Sequence, residues 1–280
     1  VGNGRARRCA SVLVPAKLGQ ETSMPAEIEM HTINGCKLAL RRTGQGTPLL
    51  WLHGTDGLAE WPDAIDRLAA THMVIAPDHP GFGESEAPGW MDDVSDLAYL
   101  YLELLKTLKL DGVHIIGQSL GGWVGMEMAV RSTARLKSLT LISSAGIHVK
   151  GASKTDIFMI DPEEQARLVY ADAKLGEAAA ERAGAEKYQD VAVANRVASA
   201  RFGWNPRFHN PRLERWLCRI DIPTLIVWGD KDRIFAPAHA DALARAIPGA
   251  GVVMIEGAGH LPHVEKLEET LKAVGAFLPA

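Results

Sequence analysis

The sequence predicts an α/β fold, a mostly parallel sheet with helices on its faces and a helical segment inserted near the middle. Three observations carry this. Short, continuous apolar runs recur between polar, Gly-containing loops, as expected of strands buried on both faces. Stretches with helical spacing alternate with those runs, the order that βα units produce. The strand rhythm then stops between Ile147 and Leu213, where Ala, Glu, Lys and Arg dominate. A chain of 280 residues is long for one average domain and short for two, so one large domain with an insertion fits its length.

Taken in order, Ile28 to Thr32 and Cys36 to Arg42 flank the Asn34-Gly35 turn signal, which predicts an antiparallel hairpin at the start of the domain. Leu49 to Leu52 and Met73 to Ala76 read as buried parallel strands. From Asp93 to Leu108, the residues Val94, Leu97, Tyr101, Leu104, Leu105 and Leu108 follow helical spacing, with Asp92 or Asp93 as the N-cap. Val113 to Ile116 is a strand that runs into a glycine-flanked serine, and the breaker-poor run Trp123 to Val130 suits a buried helix. Leu139 to Ile142, Thr224 to Trp228 and Gly251 to Ile255 give three more strands. Leu267, Leu271, Val274 and Phe277 close the chain with a helical stripe.

Within the insertion, Asp161-Pro162-Glu163-Glu164 combines an N-cap, a proline at the first helical position and two acids in the first turn. Phe158, Leu168, Val169, Tyr188, Val191, Val197, Phe202 and Trp204 supply apolar faces, so the segment reads as a lid rather than a linker. The expected division is a disordered tail over residues 1–25, a core over residues 26–146 and 214–280, and a helical cap over residues 147–213.

Charge and cysteine usage narrow the function classes. A formal net charge of −4 and a pI near 6.2, with acids and bases interspersed, give no electrostatic footprint for nucleic acid or an anionic membrane. A neutral or weakly charged small-molecule substrate fits better. Cys9, Cys36 and Cys218 are odd in number and lack C-x-x-C spacing, which suggests neither a disulfide framework nor a structural zinc site. The default compartment is therefore reducing, and the expected location cytoplasmic. The basic cluster Arg5, Arg7 and Arg8 precedes no apolar stretch of signal-peptide length, and no segment approaches a membrane span. A homo-oligomer stays open.

The chemistry centres on Gly117-Gln118-Ser119-Leu120-Gly121, which reads as a nucleophile elbow. A sharp strand-to-helix turn needs small residues two before and two after the serine, and the helix that follows points its free N–H groups where an oxyanion would form. A serine hydroxyl needs a base to take its proton and a third group to orient that base. The candidate base is His260, after the last strand in Gly257-Ala258-Gly259-His260. The candidate acid lies in Gly229-Asp230-Lys231-Asp232, where Asp232 is preferred and Asp230 is read as a loop-stabilising acceptor. Chain order is then Ser119, Asp232, His260.

Ten histidines compete for the role of base. His31, His72, His79, His148, His209 and His239 lack the small-residue loop that precedes His260, and His114 reads as packed within a strand. His263, three residues on, is the serious rival. The oxyanion hole is expected from the N–H groups of Leu120 and Thr55, the latter in the loop His53-Gly54-Thr55-Asp56-Gly57. His53 reads as a residue that anchors that loop.

His53-Gly54, Asp78-His79-Pro80-Gly81-Phe82-Gly83-Glu84-Ser85, Gly117 to Gly122, Gly229 to Asp232 and Gly259-His260 together resemble the α/β-hydrolase superfamily, over residues 26–280. The resemblance implies an eight-stranded, mostly parallel sheet with a helical cap inserted after the sixth strand. Serine at 119 departs from the haloalkane dehalogenase and epoxide hydrolase branches, which carry aspartate there. Within the serine branch the chain resembles small carboxylesterases, and also the hydrolases that cleave carbon–carbon bonds in meta-cleavage ring-fission products. The second group usually has Asn before the nucleophile and Trp after the histidine, where this chain has Gln118 and Leu261. The expected activity is hydrolysis of small to medium, largely apolar carboxylic esters through an acyl-enzyme, with no metal or organic cofactor. The alternatives are a carbon–carbon hydrolase of vinylogous diketo acids, for which Arg196 and Arg201 could bind the acidic tail, and a ligand receptor on the same fold.

Overall fold

The computed structural model describes residues 27–278, and the tail expected over residues 1–25 lies outside them. Eight strands form one sheet: β1 (Ile28–Ile33), β2 (Cys36–Thr43), β3 (Thr47–Leu52), β4 (His72–Pro77), β5 (Val113–Gln118), β6 (Leu136–Ile142), β7 (Thr224–Gly229) and β8 (Gly251–Ile255). Their spatial order is β1-β2-β4-β3-β5-β6-β7-β8. β1, β2 and β4 pair antiparallel and every later pairing is parallel, so the sheet has the eight-stranded, mostly parallel form that the resemblance implies. The opening hairpin turns at Asn34 and Gly35, both with positive φ, the geometry a two-residue turn between twisted strands requires.

Continuous apolar runs serve both faces of the sheet, because successive side chains on a strand point to opposite sides. Leu50, Leu52, Ile115, Leu141 and Ile226 face one side, where they pack against α2 (Val94–Thr107), α3 (Leu120–Arg131) and α7 (Ala238–Ala246). Their neighbours Leu49, Trp51, Ile116, Ile142 and Val227 face the other, against α1 (Asp63–Ala69) and α9 (Leu267–Phe277). Each such side chain, fully removed from water, contributes about 1.5–3 kcal/mol before entropy is counted. Asp93, not Asp92, caps α2, accepting from the Ser95 amide at 2.6 Å.

Between β6 and β7 lie α4 (Pro162–Val169), α5 (Ala173–Gly184) and α6 (Glu186–Gly203), with short 3-10 turns at Ile157–Met159 and Leu213–Arg219. Asp161 caps α4 by accepting from Glu164 N–H at 2.7 Å. The inward faces differ from expectation. Val169 and Phe202 are buried, but Val191, Val197 and Trp204 are exposed, the last two by 63% and 51%. The buried stripe of α6 is instead Ala198, Ser199, Phe202 and Gly203. Close approach explains this: a Cβ at Gly81 would lie 3.3 Å from the Ala198 Cβ, so the helix meets the loop after β4 through small residues and larger ones turn outward. Short α8 (Pro262–Glu265) follows the last strand's exit loop.

Candidate active site

Strand β5 delivers Ser119 to its tip with φ +50° and ψ −111°, outside the regions an L-residue ordinarily occupies. The surroundings over-determine that conformation. The Ser119 amide donates to Ile142 O at 2.9 Å, and its carbonyl accepts from the amides of Gly122, Trp123 and Ala145. The two flanking glycines are dictated by contact: a Cβ at Gly117 would lie 2.4 Å from Gly121 O, and one at Gly121 would lie 2.0 Å from Leu52 O. The same closeness sets the start of α3 against the end of β3, which brings the Thr55 loop beside Leu120.

His260 reaches Ser119 from the loop after β8. Its Nε2 lies 3.0 Å from Ser119 Oγ and its Nδ1 lies 2.8 Å from Asp232 Oδ2. All three side chains belong to buried residues. Asp232 is held in turn, since Oδ1 accepts from the amides of Ile234 at 2.8 Å and Phe235 at 3.0 Å. With the carboxylate accepting at Nδ1, the neutral imidazole carries its proton there and leaves Nε2 to accept from the serine hydroxyl.

The competing residues fall elsewhere. Asp230 Oδ1 accepts from Gly257 N–H at 2.7 Å and Oδ2 lies 3.3 Å from Lys231 Nζ, so it braces the loop and does not touch His260. His263 is buried with its ring 5.6 Å from Trp51 and its Nδ1 unpartnered. Burial, with His260 adding to it, lowers its pKa to about 3. His114 lies within β5, its Nδ1 2.6 Å from Ser138 Oγ.

The amides of Thr55 and Leu120 have no hydrogen-bond acceptor among the described residues. Leu120 begins α3, where the first N–H groups lack an intrahelical partner. The Thr55 loop is pinned by a buried chain of rings. His53 Nε2 accepts from the His79 amide at 2.9 Å, so His53 Nδ1–H donates to Gly54 O at 2.6 Å. His79 Nε2–H donates to His53 O at 3.0 Å, which leaves its Nδ1 to accept from Tyr101 O–H at 2.5 Å. Burial lowers the pKa of both imidazoles, that of His79 well below the ordinary value, with His53 adding to the effect there. Sequence reasoning reached His53 as an anchor and missed His79 and Tyr101, whose partners lie more than twenty residues away.

Glu265 is a third residue that sequence reasoning missed. Its Oε1 accepts from the amides of Ala171 at 2.7 Å and Asp172 at 2.9 Å, and its Oε2 from Gly259 N–H at 2.5 Å. The His260 amide donates to Val169 O at 2.7 Å, and Arg233 Nη2 donates to the carbonyls of Arg167 and Tyr170, each at 2.6 Å. The turn between α4 and α5 is thereby tied to both loops that carry Asp232 and His260.

A pocket opens over Ser119 and His260. Ile157, Val169, Phe208, Ile234 and Phe235 give it apolar walls, and Thr55, Asp56, Gln118, Thr155 and Gln165 give it polar ones. Neither Arg196 nor Arg201 of α6 lines it: Arg196 donates to Ile160 O at 2.7 Å and Arg201 to Pro88 O at 2.8 Å. Among the described residues no helix is long and apolar enough to cross a membrane, and no group of three His, Cys, Asp or Glu residues is placed to hold a metal ion. Cys36 is buried and Cys218 exposed, both as free thiols, and Cys9 lies outside the described residues.

Residues 47–267 match the family model described as the alpha/beta hydrolase fold. The chain is 29% identical to Lipase 1 of Psychrobacter immobilis over 99% of its own length and 92% of that lipase. A crystal structure of a membrane phospholipase A, described as a bacterial virulence factor, superposes with a TM-score of 0.74 at 25% identity, covering 90% of this chain and 85% of that one. A meta-cleavage product hydrolase, CumD, superposes with a TM-score of 0.73 at 19% identity, covering 89% and 97%, and so shares the fold. With this match over most of its length, and a sheet of the same form, the chain belongs to the α/β-hydrolase family.

Proposed function

We propose that the protein is a serine hydrolase of small to medium carboxylic esters, with Ser119 as nucleophile, His260 as general base and acid, and Asp232 as the group that orients it. The observation that supports this best is the unbroken chain from Ser119 Oγ to His260 Nε2 at 3.0 Å and from His260 Nδ1 to Asp232 Oδ2 at 2.8 Å. In this reading Ser119 Oγ attacks the ester carbonyl as its proton passes to His260 Nε2. Asp232 stabilises the imidazolium, and the free amides of Thr55 and Leu120 receive the oxyanion. The tetrahedral intermediate collapses as His260 returns the proton to the departing alcohol. Water then attacks the acyl-enzyme with His260 again as base, releasing the acid and regenerating Ser119.

The apolar pocket walls suit an acyl or alcohol chain of modest size. A vinylogous diketo acid would need a cation for its carboxylate, and the engagement of Arg196 and Arg201 with backbone carbonyls weighs against that alternative. The test is hydrolysis of nitrophenyl esters from acetate to decanoate, run beside one ring-fission product. Ser119→Ala should lower kcat by about 10⁶, and an organophosphate should label Ser119 alone. Retention of more than about a tenth of the activity in that variant would remove Ser119 from the role.

A further inference from the structure

Asp56 lines the pocket directly after Thr55, sharing its space with Ser119, His260, Gln118 and Gln165. No ion pair or side-chain hydrogen bond engages its carboxylate among the described residues. Its backbone, by contrast, is fixed: the Asp56 carbonyl accepts from Asn195 Nδ2 on α6 at 2.7 Å, which ties this loop to the inserted helices. The nearest acid in sequence, Glu60, is matched by Arg182 at 3.1 Å, so that pair adds little net charge. No arginine or lysine lines the pocket. His260 alone favours the charged form of Asp56, so with no lysine or arginine in the lining this carboxylate adds a negative field to the pocket.

Asp56 keeps an exposed surface, while the protein around it raises its carboxyl pKa by burial, with His260 acting in the opposite direction. A bound cation would favour the ionised carboxylate against that burial and would also offset the repulsion between Asp56 and an oxyanion forming beside Thr55. An anionic substrate would worsen both. Resting on the esterase reading, we infer that Asp56 is a specificity-determining residue and that the preferred substrates are esters bearing an ammonium-type cation, with carboxylate-bearing esters rejected.

The experiment uses nitrophenyl esters of three acids that share a propylene spacer and end in trimethylammonium, tert-butyl or carboxylate. A matched pair carries the ammonium or tert-butyl group on the alcohol instead. Wild type should prefer ammonium over tert-butyl in kcat/KM by about tenfold in at least one series, and should hydrolyse the carboxylate ester least well. In Asp56→Asn, with each rate referred to that variant's own rate on the tert-butyl ester, the preference should fall towards unity. Asp56→Glu should keep it. Ratios near unity in wild type in both series, or a preference unchanged in Asp56→Asn, would overturn the inference. Turnover of the tert-butyl ester by wild type and not by Ser119→Ala tests the esterase reading separately. Should no ester be hydrolysed, calorimetric titration of Ser119→Ala with the same compounds still measures the ammonium preference, and equal affinities would overturn it.

Discussion

At the scale of single residues, the two aspartates of Gly229-Asp230-Lys231-Asp232 differ only in what their oxygens meet. Asp232 Oδ2 faces His260 Nδ1, while Asp230 Oδ1 accepts from the Gly257 amide. Asparagine at 232 would present an N–H or a neutral oxygen to the imidazole and, in the proposed mechanism, remove the charge that stabilises the imidazolium. A loss on the order of 10⁴ in kcat is expected for Asp232→Asn. Asn at 230 keeps an acceptor for Gly257, so Asp230→Asn should stay within about threefold of wild type, as expected of a half-buried substitution that preserves its hydrogen bond and touches no catalytic candidate. Equal losses in the two variants, read from steady-state kinetics on one ester, would undo the assignment of Asp232.

Among the elements, the turn between α4 and α5 matters because Glu265 joins it to the histidine loop through three amides. In Glu265→Gln one oxygen becomes an NH2 group that cannot accept, so at least one of those N–H groups loses its partner at a cost of about 1 kcal/mol. For a domain of this size that lowers Tm by about 2–4 °C. Loosening the loop that aims His260 should also lower kcat by about tenfold. A variant with wild-type kcat and a lowered Tm would show Glu265 to be structural only. None of this clamp was legible in the sequence, since Glu265 and its partners Ala171 and Asp172 lie some ninety residues apart and share no motif. The strands were legible because their apolar runs are continuous, and Ser119 because its glycines are local. His260 and Asp232 followed from their places just after strands. Helices α1 and α7, of seven and nine residues, are too short to display a helical period and went unread. The outward face of α6 went unread for another reason: periodicity marks a stripe, but only packing against Gly81 decides that the small residues face inward.

The molecule as a whole buries an unusual set of neutral imidazoles. Burial lowers the pKa of His53 and His79, brings His114 to about 4 with Lys137 and His72 contributing, and brings His263 to about 3 with His260 contributing. In the unfolded chain each of these titrates near about 6.5. Below that pH the unfolded state binds protons that the folded state refuses, so stability falls as pH falls and is fully present only above about 6.5. Each group can contribute a slope of up to about 1.4 kcal/mol per pH unit over the window between its two pKa values. Asp56 and Asp96, whose pKa values are raised by burial, act in the opposite sense, but near the carboxylate range and so at the acid end of that window. Urea unfolding between about pH 7.5 and 5 should therefore show a falling midpoint, with net proton uptake on unfolding that grows toward the lower end. His114→Gln removes one titrating group and should reduce that uptake by about one proton while leaving the histidine next to Ser119 untouched. A midpoint that stays flat across the range would mean that these four imidazoles are solvated in the folded protein, and would remove the buried histidine network as a support for the Thr55 loop.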